Sequence, residues 1–217
     1  MNKITLVLEN FIQKFNFFNK KANGIYKDKS ICIIGIGGGG GNITADISKI
    51  DNQFHTVYIN SDINALDSKQ SGDKIVLGRE TKRGLGCGAQ VSCGVKLFDD
   101  EIKQELSSLI KKDKEIYLIS TLGGGVGSGT TPEVLMYLQK RRKNIKVIVV
   151  TPFKFEGKHR NDIALHSIQD IQNNIKDIEN LTILKNDDSL HKLKTKNLSV
   201  KEAFQIMPNR IYEMINK

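Results

Sequence analysis

The sequence predicts an α/β fold: a Rossmann-like parallel sheet with helices on both faces, preceded by an N-terminal amphipathic helix. Three observations predict it. Short β-branched runs alternate with helical segments along most of the chain, the pattern of βαβ units. The run Ile145 to Val150 is almost continuously apolar, as a strand covered on both faces should be. Finally, 14 of the 19 glycines fall in three clusters, six between Gly35 and Gly41, three between Gly84 and Gly88 and five between Gly123 and Gly129. In parallel sheets ligands sit beyond the carboxyl ends of the strands, and all three clusters are expected on that edge.

Residues 1–29 form a separate extension. Ile4, Val7, Leu8, Phe11, Ile12, Phe15 and Phe18 recur at spacings of three and four, and Lys14, Lys20 and Lys21 flank the far end. Such a stripe packs on the following domain or, through residues 4–18, meets a membrane surface or a partner. Gly24 and the polar residues near Lys27 read as a linker, which puts the domain at 30–217. Within it, strands are expected at Ser30–Ile36, Thr56–Ile59, Lys74–Leu77, Glu115–Ser120, Ile145–Val150 and Leu181–Leu184. Helices are expected at Asn42–Lys49, Asp99–Lys111, Thr131–Lys143 with Pro132 in the first turn, around Asn161–Lys176, and from Ser199 onward.

Composition narrows the classes. The 217 residues, 39% hydrophobic and 26% charged, suit one buried domain with an appendage, and no run approaches the roughly 20 apolar residues of a membrane span. A net charge of +9 permits a polyanionic partner, but the basic residues are spread along the chain. The dense run Lys140 to Lys143 follows a helical stretch and reads as a solvated helix end. No zinc-finger spacing or aromatic platform accompanies it, so nucleic acid is not an expected partner. Cys32, Cys87 and Cys93, odd in number and without CxxC spacing, suit thiols filling core and loops in a reducing cytoplasm. His55, His159, His166 and His191 have no ligand partners at useful spacing and read as structural or surface residues.

The chemistry lies in the glycine clusters. Gly35 to Asn42 joins a strand to a helix, where backbone without Cβ atoms can approach an anion and helix amides point at it. The stretch contains the GxGxxG of dinucleotide folds, and Asp62 stands where such a fold places its ribose-binding acid, so an NAD-type oxidoreductase is one alternative. Leu122 to Thr130 repeats the device after another strand, whereas a dehydrogenase has one such loop per nucleotide. GxxxxGK followed by Ser or Thr is absent, which excludes a P-loop.

These residues resemble the nucleotide-binding half of the tubulin/FtsZ family, closest to its FtsZ branch. GIGGGGGN at Gly35–Asn42 differs from the family's first loop by one apolar exchange. Asn60-Ser61-Asp62 with Ala65-Leu66 is similar to NTDxxAL, and Gly84 to Ala89 to GLGAGA. Gly123 to Gly129 resembles the tubulin signature GGGTGxG. Pro152 to Arg160 resembles PFxFEGxxR, Asn186-Asp187 the end of IPND, and Ala203-Phe204 the start of the central helix. The matches run in order from Ile31 to the last helix.

The resemblance implies GTP or GDP binding, with Mg²⁺ held through the nucleotide phosphates and no protein ligand to the metal assigned. Gly38, Gly39, Gly40 and Asn42 would hold the α- and β-phosphates, beside Asn60 and Asp62 of the second motif. Gly124, Gly125, Gly127, Ser128 and Gly129 would cradle the β- and γ-phosphates, with Ala89 closing over the γ-phosphate. Glu156 would bind ribose, Arg160 would lie against the base, Asn186 and Asn209 would read guanine, and Phe204 would stack on it. Val126 replaces the signature threonine, a loss that Ser128 and Thr130 are expected to offset in part, and Pro208 is expected to kink or break its helix. The family's catalytic NxDxxD loop is not found in these 217 residues, so no catalytic residue is assigned and little hydrolysis is expected from the chain alone. The implied partners are guanine nucleotide and a full-length FtsZ or another FtsZ-like subunit, whose filaments the chain would cap or modulate. The implied location is the cytoplasm.

Overall fold

The computed structural model describes residues 31–79, 86–141, 144–189 and 200–216, with the backbone alone for 200–205. The expected amphipathic helix at 4–18, the boundary at 29/30, Gly84, His191 and the Phe204 side chain lie outside the described residues.

Six strands form one parallel sheet: β1 (Ile31–Ile36), β2 (His55–Asn60), β3 (Asp73–Val76), β4 (Glu115–Thr121), β5 (Ile145–Thr151) and β6 (Leu181–Lys185). Their order is β3-β2-β1-β4-β5-β6, so the chain reverses its direction of travel across the sheet between β1 and β4. The helices include α1 (Gly37–Ile50), α2 (Ile63–Asp67), α3 (Val91–Lys96), α4 (Asp100–Leu109), α5 (Gly125–Gln139), α6 (Lys158–Asn174) and α7 (Val200–Ile215). Alternate residues of each strand serve opposite faces. Ile34, Leu118 and Val147 pack with Ile102 and Leu106 of α4, Val134 and Leu138 of α5 and Ile171 of α6. Ile33, Ile119 and Ile148 pack with Ile43 and Ile47 of α1 and Ile211 and Ile215 of α7. Helices therefore cover both faces, as the sequence predicts.

The glycine runs are not loops before the helices but their first turns. α1 begins at Gly37 and α5 at Gly125, five and six residues earlier than the side-chain pattern indicates. Pro132 accordingly lies inside α5 and not in its first turn. Its ring cannot donate to the carbonyl four residues back, that of Ser128, and the Ser167 hydroxyl of α6 donates to that oxygen instead, at 2.9 Å. Pro208 likewise does not break its helix: α7 runs from Val200 to Ile215 through it.

One further expectation is corrected. Cys87 and Cys93 are joined in a disulfide, while Cys32 is a buried thiol on β1. The turn at Gly86–Gln90 folds Cys87 back onto the first turn of α3, which carries Cys93, and their Cα atoms come within 5.7 Å. His55, expected as a structural or surface residue, is held by two carboxylates. At the amino-end edge of the sheet its Nδ1 lies 2.7 Å from Asp113 Oδ2 and its Nε2 lies 2.9 Å from Asp73 Oδ2. Burial pulls its pKa down, but hydrogen bonds to Asp73 and Asp113 and their charges raise it above the ordinary histidine value overall. Partners 18 and 58 residues away in sequence make no spacing pattern to read.

Candidate nucleotide site

The carboxyl edge of the sheet is built around the gap between β1 and β4. β1 runs straight into the glycine-rich start of α1 and β4 reaches that of α5 through Leu122, Gly123 and Gly124, and neither terminus has a side-chain cap: Ile36 and Gly124 make no capping hydrogen bond. The leading amides of two helices thus converge where the sheet order reverses, at the position where parallel α/β folds bind ligands. A side chain at Gly38 or Gly124 would meet nothing within 4 Å, so both positions face open space. Gly123 takes φ +94°, a left-handed conformation that turns the chain from β4 into α5.

The third cluster lies against the second turn. The Gly125 N–H donates to the Gly88 carbonyl at 2.9 Å, and the Gly86 N–H donates to the Ser61 carbonyl beyond β2 at 3.2 Å. Ala89 is exposed at the tip, between the two disulfide cysteines.

Beside this edge lies a cavity of about 660 Å³. Of the residues expected at the site, Gly39, Asn42 and Asn186 line it. Thr121, Phe153 and Met207 line it as well and carry no sequence signal that singles them out, although Phe153 falls within the PFxFEGxxR resemblance. Lys69 is a further lining residue: its Nζ donates to Asn42 Oδ1, and burial, with Lys49 nearby, draws it below the ordinary lysine value against the pull of Asp46. Ser189 also lines the cavity, and its hydroxyl has no partner among the described residues; the same holds for the fully buried Ser61 hydroxyl after β2.

Other expected residues have structural duties. Asp62 caps α2, accepting from the Ala65 N–H at 3.1 Å, and Asn60 Oδ1 accepts from the Ser61 N–H at 2.9 Å. The Ser128 hydroxyl accepts from the Gly123 N–H at 2.9 Å and the Thr130 hydroxyl donates to the Gly94 carbonyl at 2.9 Å, so both are turned to bracing the helix start. Glu156 accepts from the Phe153 N–H at 2.8 Å and pairs with Arg160 at 2.6 Å. Gly127 and Gly129 are buried against neighbouring backbone, and Gly40 against β4. Asn209 is exposed and does not line the cavity, where Met207 and Pro208 stand instead.

Two helix N-termini without side-chain caps at a topological switch point, beside a cavity of ligand size, define a parallel α/β domain of the ligand-binding kind. The profile of the Tubulin/FtsZ family, GTPase domain, matches residues 30–194, and the chain belongs to that family. It is 32% identical over 181 residues to cell division protein FtsZ of Buchnera aphidicola subsp. Baizongia pistaciae, covering 82% of this chain and 46% of that protein. With cell division protein FtsZ of Helicobacter pylori it shares 29% over 182 residues, covering 83% and 46%. The chain thus spans about half the length of the curated relatives it matches. Among solved structures it is similar in fold to an empty FtsZ dimer of M. jannaschii (TM-score 0.74, 23% identity, 99% of this chain and 58% of that one). It is also similar in fold to a GTPγS-bound protofilament of CetZ2 from Haloferax volcanii (TM-score 0.73, 19% identity, 86% and 57%). The dinucleotide oxidoreductase alternative is not favoured by these matches. Among the described residues, no helix is long and apolar enough to cross a membrane.

Proposed function

We propose that the chain binds GTP or GDP across the two glycine turns, phosphates toward Gly38 and Gly124 and base toward the cavity lined by Asn42 and Asn186. The observation that carries this reading is the pair of helix N-termini without side-chain caps at the β1/β4 switch point. Two further observations support the fit: Gly38 and Gly124 leave room for an oxygen to reach the backbone, and the Ser189 hydroxyl, without a partner among the described residues, lines a cavity of nucleoside size. Mg²⁺ would be held through the phosphates. Roles for Phe204 and Asn209 at the base rest on the family resemblance alone.

Phosphoryl transfer depends on positioning the attacking water and stabilising charge. No NxDxxD segment occurs in these 217 residues, and on this reading acids of a second subunit complete hydrolysis of the nucleotide this chain holds. The partner we propose is a full-length FtsZ or another FtsZ-like subunit, whose filaments the chain caps or modulates. An FtsZ dimer and a CetZ2 protofilament are among the solved structures that share this fold, which supports a reading in which subunits associate.

The test is nucleotide content of the purified chain by chromatography, followed by guanine-nucleotide binding and turnover with and without full-length FtsZ. Bound GDP or GTP, slow turnover alone and altered filament length or turnover in the mixture are the expected results. Bound NAD in place of guanine nucleotide sinks the binding reading. Unchanged filaments and turnover sink the capping reading alone.

A further inference from the structure

We propose that Cys32, His55 and Asp113 form a binding site for one divalent transition-metal ion of the zinc class, on the amino-end edge of the sheet opposite the glycine turns. The Cys32 thiol sulfur, a His55 ring nitrogen and an Asp113 carboxylate oxygen all lie within 4.8 Å of one another. Three separate pieces of chain bring them together. Cys32 of β1 pairs in register with His55 of β2, so on adjacent parallel strands their side chains emerge on the same face. Asp113 precedes β4, and its N–H donates to the Ile110 carbonyl at the end of α4, where the negative end of a helix dipole favours a cation.

The donor set selects the ion. Thiolate, imidazole and carboxylate together suit zinc and its neighbours, not magnesium or calcium, which take oxygen alone. Tetrahedral bonds of the usual lengths separate such ligands by roughly 3.3–3.6 Å. The present 2.7 Å between His55 Nδ1 and Asp113 Oδ2 then opens by less than about 1 Å, within reach of side-chain rotation.

A fourth residue orients the set. His55 Nε2 lies 2.9 Å from Asp73 Oδ2. With the Nε2 proton donated there, Nδ1 directs its lone pair toward Asp113 and Cys32, and a carboxylate on the distal nitrogen is how metal-binding histidines are commonly held. Binding releases the Cys32 thiol proton to solvent, and the resulting thiolate and the Asp113 carboxylate, both buried, offset the two charges of the ion. The partly exposed His55 ring leaves an approach from solvent.

The experiment titrates the untagged full-length chain with Co²⁺, following thiolate-to-cobalt charge-transfer and tetrahedral d–d absorption, and with Zn²⁺ by calorimetry. One equivalent is expected, with the charge-transfer band lost in Cys32→Ser and kept in Cys87→Ser/Cys93→Ser. Asp73→Asn, at a half-exposed carboxylate, should keep the fold and the band while weakening affinity 10- to 100-fold. A missing thiolate band, a band surviving in Cys32→Ser, or one lost with Cys87 and Cys93 overturns the site. Should Cys32→Ser fail to fold, unchanged affinity in Asp73→Asn overturns it equally.

Discussion

The first and last glycine turns do the same thing by different packing. In α1, the bare face rests on a strand: a Cβ on Gly40 would sit 2.4 Å from the Ile119 carbonyl of β4. In α5, the bare face is enclosed on two sides. A Cβ on Gly127 would sit 2.2 Å from the Thr121 carbonyl of β4, and one on Gly129 2.2 Å from the Val91 carbonyl of α3. Each turn leaves only one glycine with open space ahead of it, Gly38 in the first and Gly124 in the last. Most of the clustered glycines thus let backbone approach backbone inside the protein. One position per turn is left open, and on the proposed function that is where the ligand meets the backbone.

The strongest way to break that comparison is to fill the packed positions. Gly127→Ala and Gly129→Ala each drive a methyl group into a carbonyl fixed in a strand or helix, and overpacking of this severity costs about 3 kcal/mol. Thermal unfolding should fall by roughly 6–12 °C in a chain of this size. A melting temperature equal to that of the unaltered chain would show that α5 shifts freely on its neighbours.

The disulfide comes next. It closes a short loop, with a sequence separation of 6, around the segment that touches the last turn and not the first. Chain entropy assigns such a loop about 2 kcal/mol. Reduction, or Cys87→Ser/Cys93→Ser, should lower stability by that order and speed amide exchange at Gly125, whose N–H bonds to Gly88. Exchange at Gly37–Gly41 should not change. Equal acceleration in both turns would mean that the clasp braces the whole edge.

Much of this arrangement was legible in the sequence, because β-branched runs and helical stripes are properties of side chains. All six expected strands exist, and Ile145–Val150 is the buried strand its composition announces. The glycine turns were legible as ligand-side features but not as helices. Glycine is among the poorest helix formers, so the pattern starts α1 at Asn42, and only packing of bare backbone on β4 extends it back to Gly37. The short helices α2 and α3 were missed for the complementary reason, since five or six residues show no period. Long-range company was not legible either. The sheet order places Lys69 against Asn42 and Cys32 against His55, and no spacing along the chain encodes those meetings.

The open glycines offer a gentler test. Gly38→Ala and Gly124→Ala should change stability by no more than about 0.5 kcal/mol, since the new methyl groups meet nothing. On the proposed function, both should nevertheless weaken guanine-nucleotide binding, by roughly tenfold if a methyl group displaces one charge-assisted contact of about 1.5 kcal/mol. Intact folding with intact affinity would place the phosphates elsewhere on the edge.

The smallest effect concerns Val126, which stands between the two turns: a Cβ added at Gly37 would lie 3.7 Å from its Cβ. Restoring the family's threonine with Val126→Thr adds a hydroxyl in a position only 7% exposed. A hydrogen bond to a charged phosphate is worth about 1.5–3 kcal/mol, but withdrawing the hydroxyl from water costs about 1–2 kcal/mol. The net gain should be about 0.5–1 kcal/mol, a two- to fivefold rise in nucleotide affinity, with the apo protein slightly less stable because the buried hydroxyl then lacks its partner. Titration of both forms, paired with their melting curves without nucleotide, separates the two contributions. A loss of apo stability with no gain in affinity would show that residue 126 faces the first turn as packing and does not reach the ligand.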